Sequence, residues 1–171
     1  MKNIILWLFT IGIISCNSEN TPKNISQMND TSANRYAQNF ELQQLEGYFL
    51  KNDISLEKDV NSMVFSTEEE FNAYFGVAKT MNNTVPPIDF NTERVAAILI
   101  TPTNLKIDFS IINTQKTGTE LQVVYTLIKG KKQSFTTAPV YLFKIPKNNT
   151  LQSIEFVYDN DHNIIAFPSK E

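Results

Sequence analysis

Two side chains occur once each and are the first places to look for chemistry: Cys16, the only thiol, and His162, the only imidazole. A single imidazole excludes a multi-histidine metal centre, and any Ser-His or Cys-His relay would have to run through His162. That residue lies in Asp159-Asn160-Asp161-His162-Asn163, which reads as a solvated polar turn. Asp159, Asp161 and Asn163 match the first three oxygen-ligand positions of a calcium loop. The sixth position, however, holds Ile164 instead of glycine, and the twelfth holds Lys170 instead of glutamate. A hairpin turn is the better reading, because Asp and Asn tolerate the backbone that turns require. Glu68, Glu69 and Glu70 could gather a cation, yet glutamates in the first turn of a helix simply match the positive end of its dipole. Lys129, Lys131 and Lys132 read as a basic turn that keeps a sheet edge soluble. No Gly-x-Ser-x-Gly elbow, His-Glu-x-x-His helix or phosphate-cradling glycine loop occurs. The sequence therefore points to no catalytic residue, no metal and no cofactor.

Cys16 carries the stronger chemical signal. Lys2 supplies a positive start, Ile4 to Ile14 form an apolar core interrupted by Thr10 and Gly12, and Ile13-Ile14-Ser15-Cys16 closes it. The core is far shorter than the roughly 20 residues that span a bilayer, so the segment reads as an export signal. Its last four residues resemble a bacterial lipobox, which implies cleavage between Ser15 and Cys16 and acylation of Cys16. Lipidation also accounts for a lone cysteine in an exported chain. Cleavage leaves 156 of the 171 residues, and the formal charge of −3 becomes −4 once Lys2 is lost. That is enough chain for one domain with a sizeable core, and the mildly acidic balance argues against a nucleic-acid partner. Trp7 and Phe9 are lost with the signal, so the core must be built largely from the remaining 11 Phe, the 6 Tyr and aliphatic residues.

Three segments follow: a lipoprotein signal over 1–15, a tether over 16–39, and a single domain over 40–171. The tether is rich in Asn, Ser and Thr and nearly free of large apolar residues, so it cannot offset its ordering entropy. Part of it, Arg35–Phe40, has an alternative reading as a short helix docked on the domain. In the domain, Leu45–Lys51 and Ser62–Phe65 suit strands. Ser66-Thr67-Glu68-Glu69 forms a capping box, Phe71, Tyr74 and Phe75 share one helical face, and Gly76 can end the helix. A helix over 67–76 follows, with that face packed on Val95, Ala97 and Leu99 or on the alternate set Ala96, Ile98 and Ile100. Asn82–Asn91, holding Pro86-Pro87, reads as an extended loop.

Val95–Ile100 is almost wholly apolar, the mark of a strand buried on both faces. Lys106–Asn113, Leu121–Ile128, Pro139–Ile145, Leu151–Tyr158 and Ile164–Phe167 continue as strands between turn residues. The class is α+β and β-rich: an antiparallel meander, as a curved sheet or sandwich, with one short helix.

From Ser62 to Lys147 the stretches MVFSTEEEFNAYFG, PPIDFNTERVAAILI, IKGKKQSFT and TAPVYLFKIPK resemble a group of small lipoproteins of Gram-negative bacteria. More remotely they are similar to the C-terminal domain in subunits of a surface protease complex. The Thr-Gly-Gly-Tyr type segment of that family has no counterpart at Thr101-Pro102-Thr103-Asn104-Leu105, so no function of that loop carries over. The resemblance implies fold and location, with an envelope protein as the expected partner. Together these readings lead to a protein held in the cell envelope by its lipid, on the outer membrane more readily than the inner. Its domain is expected to be a non-catalytic module that binds or stabilises another envelope protein. The alternatives are a small-ligand carrier with an aromatic-lined pocket and, behind it, a small hydrolase.

Overall fold

The computed structural model describes residues 37–78, 85–148 and 150–168. The expected signal over 1–15 with its cleavage residue Ser15, the expected lipidation position Cys16 and the expected tether up to residue 36 lie outside the described residues. The described part holds eleven strands and one helix: β1 Gln38–Asn39, β2 Gln43–Leu45, β3 Tyr48–Leu50, β4 Val60–Phe65, α1 Glu68–Tyr74, β5 Phe75–Val77, β6 Glu93–Ile100, β7 Thr103–Thr117, β8 Glu120–Thr137, β9 Val140–Pro146, β10 Ser153–Tyr158 and β11 Asp161–Ala166. The α+β, β-rich class with one short helix is what the sequence implies.

Three layers result. One sheet has the order β1-β7-β8-β10-β11, the second β2-β9-β6-β4, and β3 pairs with β5 in a small third sheet. The second sheet lies in the middle. Ala96 and Ile98 of β6 meet Leu121 and Val123 of β8, Phe143 and Ile145 of β9, and Ile154 and Phe156 of β10 in one core. Val95, Ala97 and Leu99 point the other way, into a core with Phe65, Phe71 and Phe75. Strand alternation sends successive side chains to opposite faces, so a strand with cores on both sides must be apolar throughout. From Val95 to Ile100 every β6 residue is buried, and the helix packs on the first of the two expected sets.

The second core is dense in aromatic rings. Phe71 meets Phe75 at 4.7 Å and Phe65 at 5.9 Å, and Phe65 lies edge-on to Tyr74 at 5.1 Å. Full burial of one such ring stabilises by about 1.5–3 kcal/mol. A seven-residue helix has little stability of its own, so this packing holds α1 in place.

Several local expectations shift by a residue or two. The N-cap is Thr67 instead of Ser66: Thr67 Oγ1 accepts from the Glu70 amide at 3.2 Å, and Glu70 Oε2 accepts from the Ser66 and Thr67 amides at 2.8 and 3.2 Å. Ser-Thr followed by three glutamates allows both registers of a capping box, and the chain takes the later one. The helix ends at Tyr74, and Gly76 is no cap. It lies in β5 under the Phe49 ring, where a Cβ would meet Phe49 Cζ at 2.5 Å. Leu45–Lys51 is not one strand but β2 and β3, broken at Gly47, whose φ of +86° suits only glycine. Gln38–Asn39, expected in the tether, instead form β1 on the edge of β7.

The basic turn is the largest correction. Lys129, Lys131 and Lys132 lie within β8, with Lys129 opposite Ile107 and Lys132 opposite Leu105. The β7–β8 hairpin turns at Gly118, whose φ is +62°, within the turn that Lys116–Thr119 suggests, and β8 then runs on past the lysines without a second turn. Lysines carry no turn signal of their own; the glycine between them, Gly130, packs against Lys106 of the facing strand. The other correction is topological. β8 runs on into the middle sheet as β9, and the chain returns as β10, which lies parallel to β8 while the remaining pairs are antiparallel. Among the described residues no helix is long and apolar enough to cross a membrane.

Candidate functional site

The residues that sequence reasoning set aside as one polar turn separate onto two faces of the first sheet. Tyr158 pairs with Asp161 across a two-residue connection, and Asp159 has a φ of +56°, so of the expected turn Asp159–Asn163 only Asp159 and Asn160 form the turn itself. The strand, however, begins at Asp161, which puts His162 inside β11 and not in a turn. Alternation then sends Asp161 and Asn163 one way and His162 the other.

On the outer face, His162 Nδ1 lies 2.8 Å from Glu155 Oε1, and Gln122 Nε2 donates to Glu155 Oε2 at 2.6 Å. His162 is thus tied to a carboxylate and is not simply solvated, although its side chain stays 56% exposed. Glu155 is only 9% exposed. The bond from Gln122, then that from His162, holds its carboxyl below the ordinary range against the opposing effect of burial. The sequence gives no sign of this cluster, because Gln122 and Glu155 become neighbours only through the parallel β8–β10 pairing. Among the described residues Glu155 is the hydrogen-bond partner of His162. The carboxylate orients the imidazole.

On the inner side, Asp161 and Asn163 enter a cleft between β4, at the edge of the middle sheet, and the β10–β11 hairpin. Asn163 Nδ2 donates to the Ser62 carbonyl at 3.1 Å and links the two sheets. Beside this link lies a cavity of about 310 Å³ walled by Tyr74, Tyr125, Phe156 and Tyr158 and rimmed by Glu57, Lys58 and Asp161. A second cavity, about 360 Å³, shares Val60 and Tyr158 as walls and continues past Leu127 to Lys129. Both fall at the lower end of the range for small-ligand pockets.

Local structure fixes the walls. Asn61 accepts from the Lys58 amide at 3.2 Å and donates to the Lys58 carbonyl at 2.6 Å, which closes the loop that enters β4. Tyr125 and Tyr158 stack at 5.3 Å with 12° between their planes. Burial raises the Tyr125 phenol above its ordinary value, so it stays a neutral hydroxyl, with Ser62 Oγ 3.5 Å away. Asp161 and Glu57 make no hydrogen bond or ion pair within the described residues, so their acceptor capacity faces solvent.

The other sequence candidates lie elsewhere. Glu68, Glu69 and Glu70 are exposed at the start of α1, where Glu70 completes the cap. Lys131 and Lys132 are exposed on β8 and only Lys129 reaches a cavity wall. Among the described residues no group of three or more His, Cys, Asp or Glu side chains gathers as a metal would require.

A second feature invisible in the sequence is Arg94, 8% exposed on β6. Its Nε and Nη1 are out of contact with water and have no hydrogen-bond partner among the described residues. The guanidinium lies 4.5 Å above the Phe167 ring, a cation–π contact, and burial lowers its pKa.

No family model, curated protein or solved structure matches the chain.

Proposed function

We propose that the chain is a lipoprotein of the cell envelope, anchored through Cys16, whose folded domain acts by binding and not by catalysis. The observation that carries the binding role is the tyrosine-lined cavity between β4 and the β10–β11 hairpin, edged by Asp161, Glu57 and Lys58, with a second cavity adjoining it at Val60 and Tyr158. A concave site with an apolar body and a few polar groups suits recognition of a small molecule. Of the two binding roles that the sequence allows, the cleft therefore favours the small-ligand one.

The role as a partner-binding or complex-stabilising module has support of its own. Ile112, at a β-bulge, Ile128 and Ile164 stand well exposed on the long-stranded sheet. Exposed apolar side chains contribute to protein interfaces when they gather into a patch.

Native mass spectrometry of the full chain, extracted from its own membranes in a detergent without a sugar headgroup, separates the two. A non-covalent small-molecule companion that is lost on Tyr158→Leu is the expected result. No companion, together with crosslinking of an envelope protein through a photoreactive residue at Ile164, would replace the small-ligand reading with the partner-binding one.

A further inference from the structure

Resting on the small-ligand reading, we propose that the tyrosine-walled cleft is a carbohydrate site that takes a neutral sugar residue. Three features of the cleft converge on that class. First, the wall carries the half-buried ring of Tyr158, held by stacking on the buried Tyr125, with the half-buried Tyr74 lining the same cavity. The C–H face of a pyranose ring packs against such surfaces, and the rings lose little freedom in the process.

Second, the rim pairs acceptors with donors. Asp161 and Glu57 offer carboxylate oxygens, Lys58 an ammonium, Ser55 and Ser62 hydroxyls, and Asn163 a carbonyl oxygen left over after its amino group bonds Ser62. Sugar hydroxyls both donate and accept, so vicinal pairs match a rim of this mixed kind. Bonds to charged groups are the stronger ones.

Third, the charge balance excludes the main competitors. Two acidic groups and one basic group border the first cavity, which repels phosphates and carboxylates instead of attracting them. An extended peptide adding to the free edge of β4 would have to displace Asn163 from the Ser62 carbonyl. A purely apolar ligand would strip water from Asp161 and Glu57 without replacing their hydrogen bonds.

The second cavity, beyond Tyr158, gives the site room for an adjoining sugar unit. Its wall is more apolar, with Ile100, Pro102, Leu105, Ile107 and Leu127 beside Asp59 and Lys129. The shared chemistry is that of a neutral hexose or N-acetylhexosamine, as a free saccharide or as the end of a longer glycan.

The test uses the full chain in sugar-free detergent against an array of neutral mono- and oligosaccharides, followed by calorimetric titration with the best binder. Saturable binding of at least one neutral saccharide is expected. Asp161→Ala and Tyr158→Leu should each weaken it about tenfold or more, as loss of a hydrogen bond to a charged group or of a stacking face implies. His162→Gln, on the opposite face of β11, should leave it unchanged. Asp161 is exposed, so its variant reports even if Tyr158→Leu fails to fold. Competition by the free saccharide shows that one sugar unit suffices. Binding only to the surface-linked glycan, with the same loss in Asp161→Ala, places the recognised unit at a chain end. Absence of binding to every neutral sugar, or binding indifferent to Asp161→Ala, overturns the carbohydrate assignment. If a small companion is nevertheless found by native mass spectrometry, the cleft remains a ligand site and only the ligand class fails.

Discussion

Asn163 and Ser62, 101 residues apart, are joined by a hydrogen bond of 3.1 Å from the Asn163 amide nitrogen to the Ser62 carbonyl. It bridges β11 of one sheet and β4 of the other beside the cavity walled by Tyr125 and Tyr158. Such a bond, partly buried, contributes about 0.5–1.5 kcal/mol. Asn163→Ala should lower stability by about 1 kcal/mol, and the edge of β4 should lose amide-exchange protection before the strands within the sheets do. Protection unchanged along β4 would mean that the link does not hold the cleft together.

The helix face gives a sharper contrast. Phe75 is 3% exposed among Phe65, Phe71 and Tyr74, whereas Glu68 is exposed in the first turn. Phe75→Ala should cost about 3–5 kcal/mol and Glu68→Ala a few tenths, read by chemical denaturation. Equal, small effects would show that α1 is not held by its aromatic face.

How far the fold could be read from the chain depends on whether its signals are local. The helix, the doubly buried β6 and the alternation of Ile107, Phe109 and Ile111 are written in neighbouring residues, and each was legible. The capping register, the break at Gly47 and the path of β8 past Gly130 and its lysines depend on contacts with distant strands, so spacing alone does not place them. The same holds for the site. Asp161, His162 and Asn163 drew notice as a group, but their separation onto two faces follows from β11 starting at Asp161. The tyrosines of the cleft lie 84 residues apart, from Tyr74 to Tyr158, and no short motif links them.

Glu155 should govern part of the acid limb of stability. Its carboxyl sits below the ordinary value of 4.5 in the folded chain and returns to it on unfolding. The contribution is complete above that value and disappears as pH falls through the lower folded value. Between about pH 7 and about pH 3, the wild type should lose more stability than Glu155→Gln, which has no such proton to take up. Parallel losses would mean that the Gln122 and His162 bonds do not perturb Glu155.

Arg94 carries an uncompensated cost. Its Nε and Nη1 are buried without hydrogen-bond partners among the described residues, and the contact with Phe167 offsets only part of their desolvation. Replacing an unpaired buried charge by an apolar side chain of similar length removes that cost, so Arg94→Met should raise stability by about 1–3 kcal/mol. Phe167→Ala, which takes the ring from beneath the guanidinium, should lower it. A destabilised Arg94→Met would contradict this and show that the guanidinium contributes more than its burial costs.

The proposed function depends most on Cys16, because the partners open to the domain would follow from the membrane attachment proposed for it. Two or more acyl chains anchor a protein stably where one binds only marginally. The most direct measurement is metabolic labelling with a fatty-acid analogue, followed by membrane fractionation of wild type and Cys16→Ser. The account predicts a labelled, membrane-bound wild type, and a Cys16→Ser form that is unlabelled and released or mislocalised but still folded. An unlabelled wild type, or a Cys16→Ser variant still firmly in the membrane fraction, would contradict it.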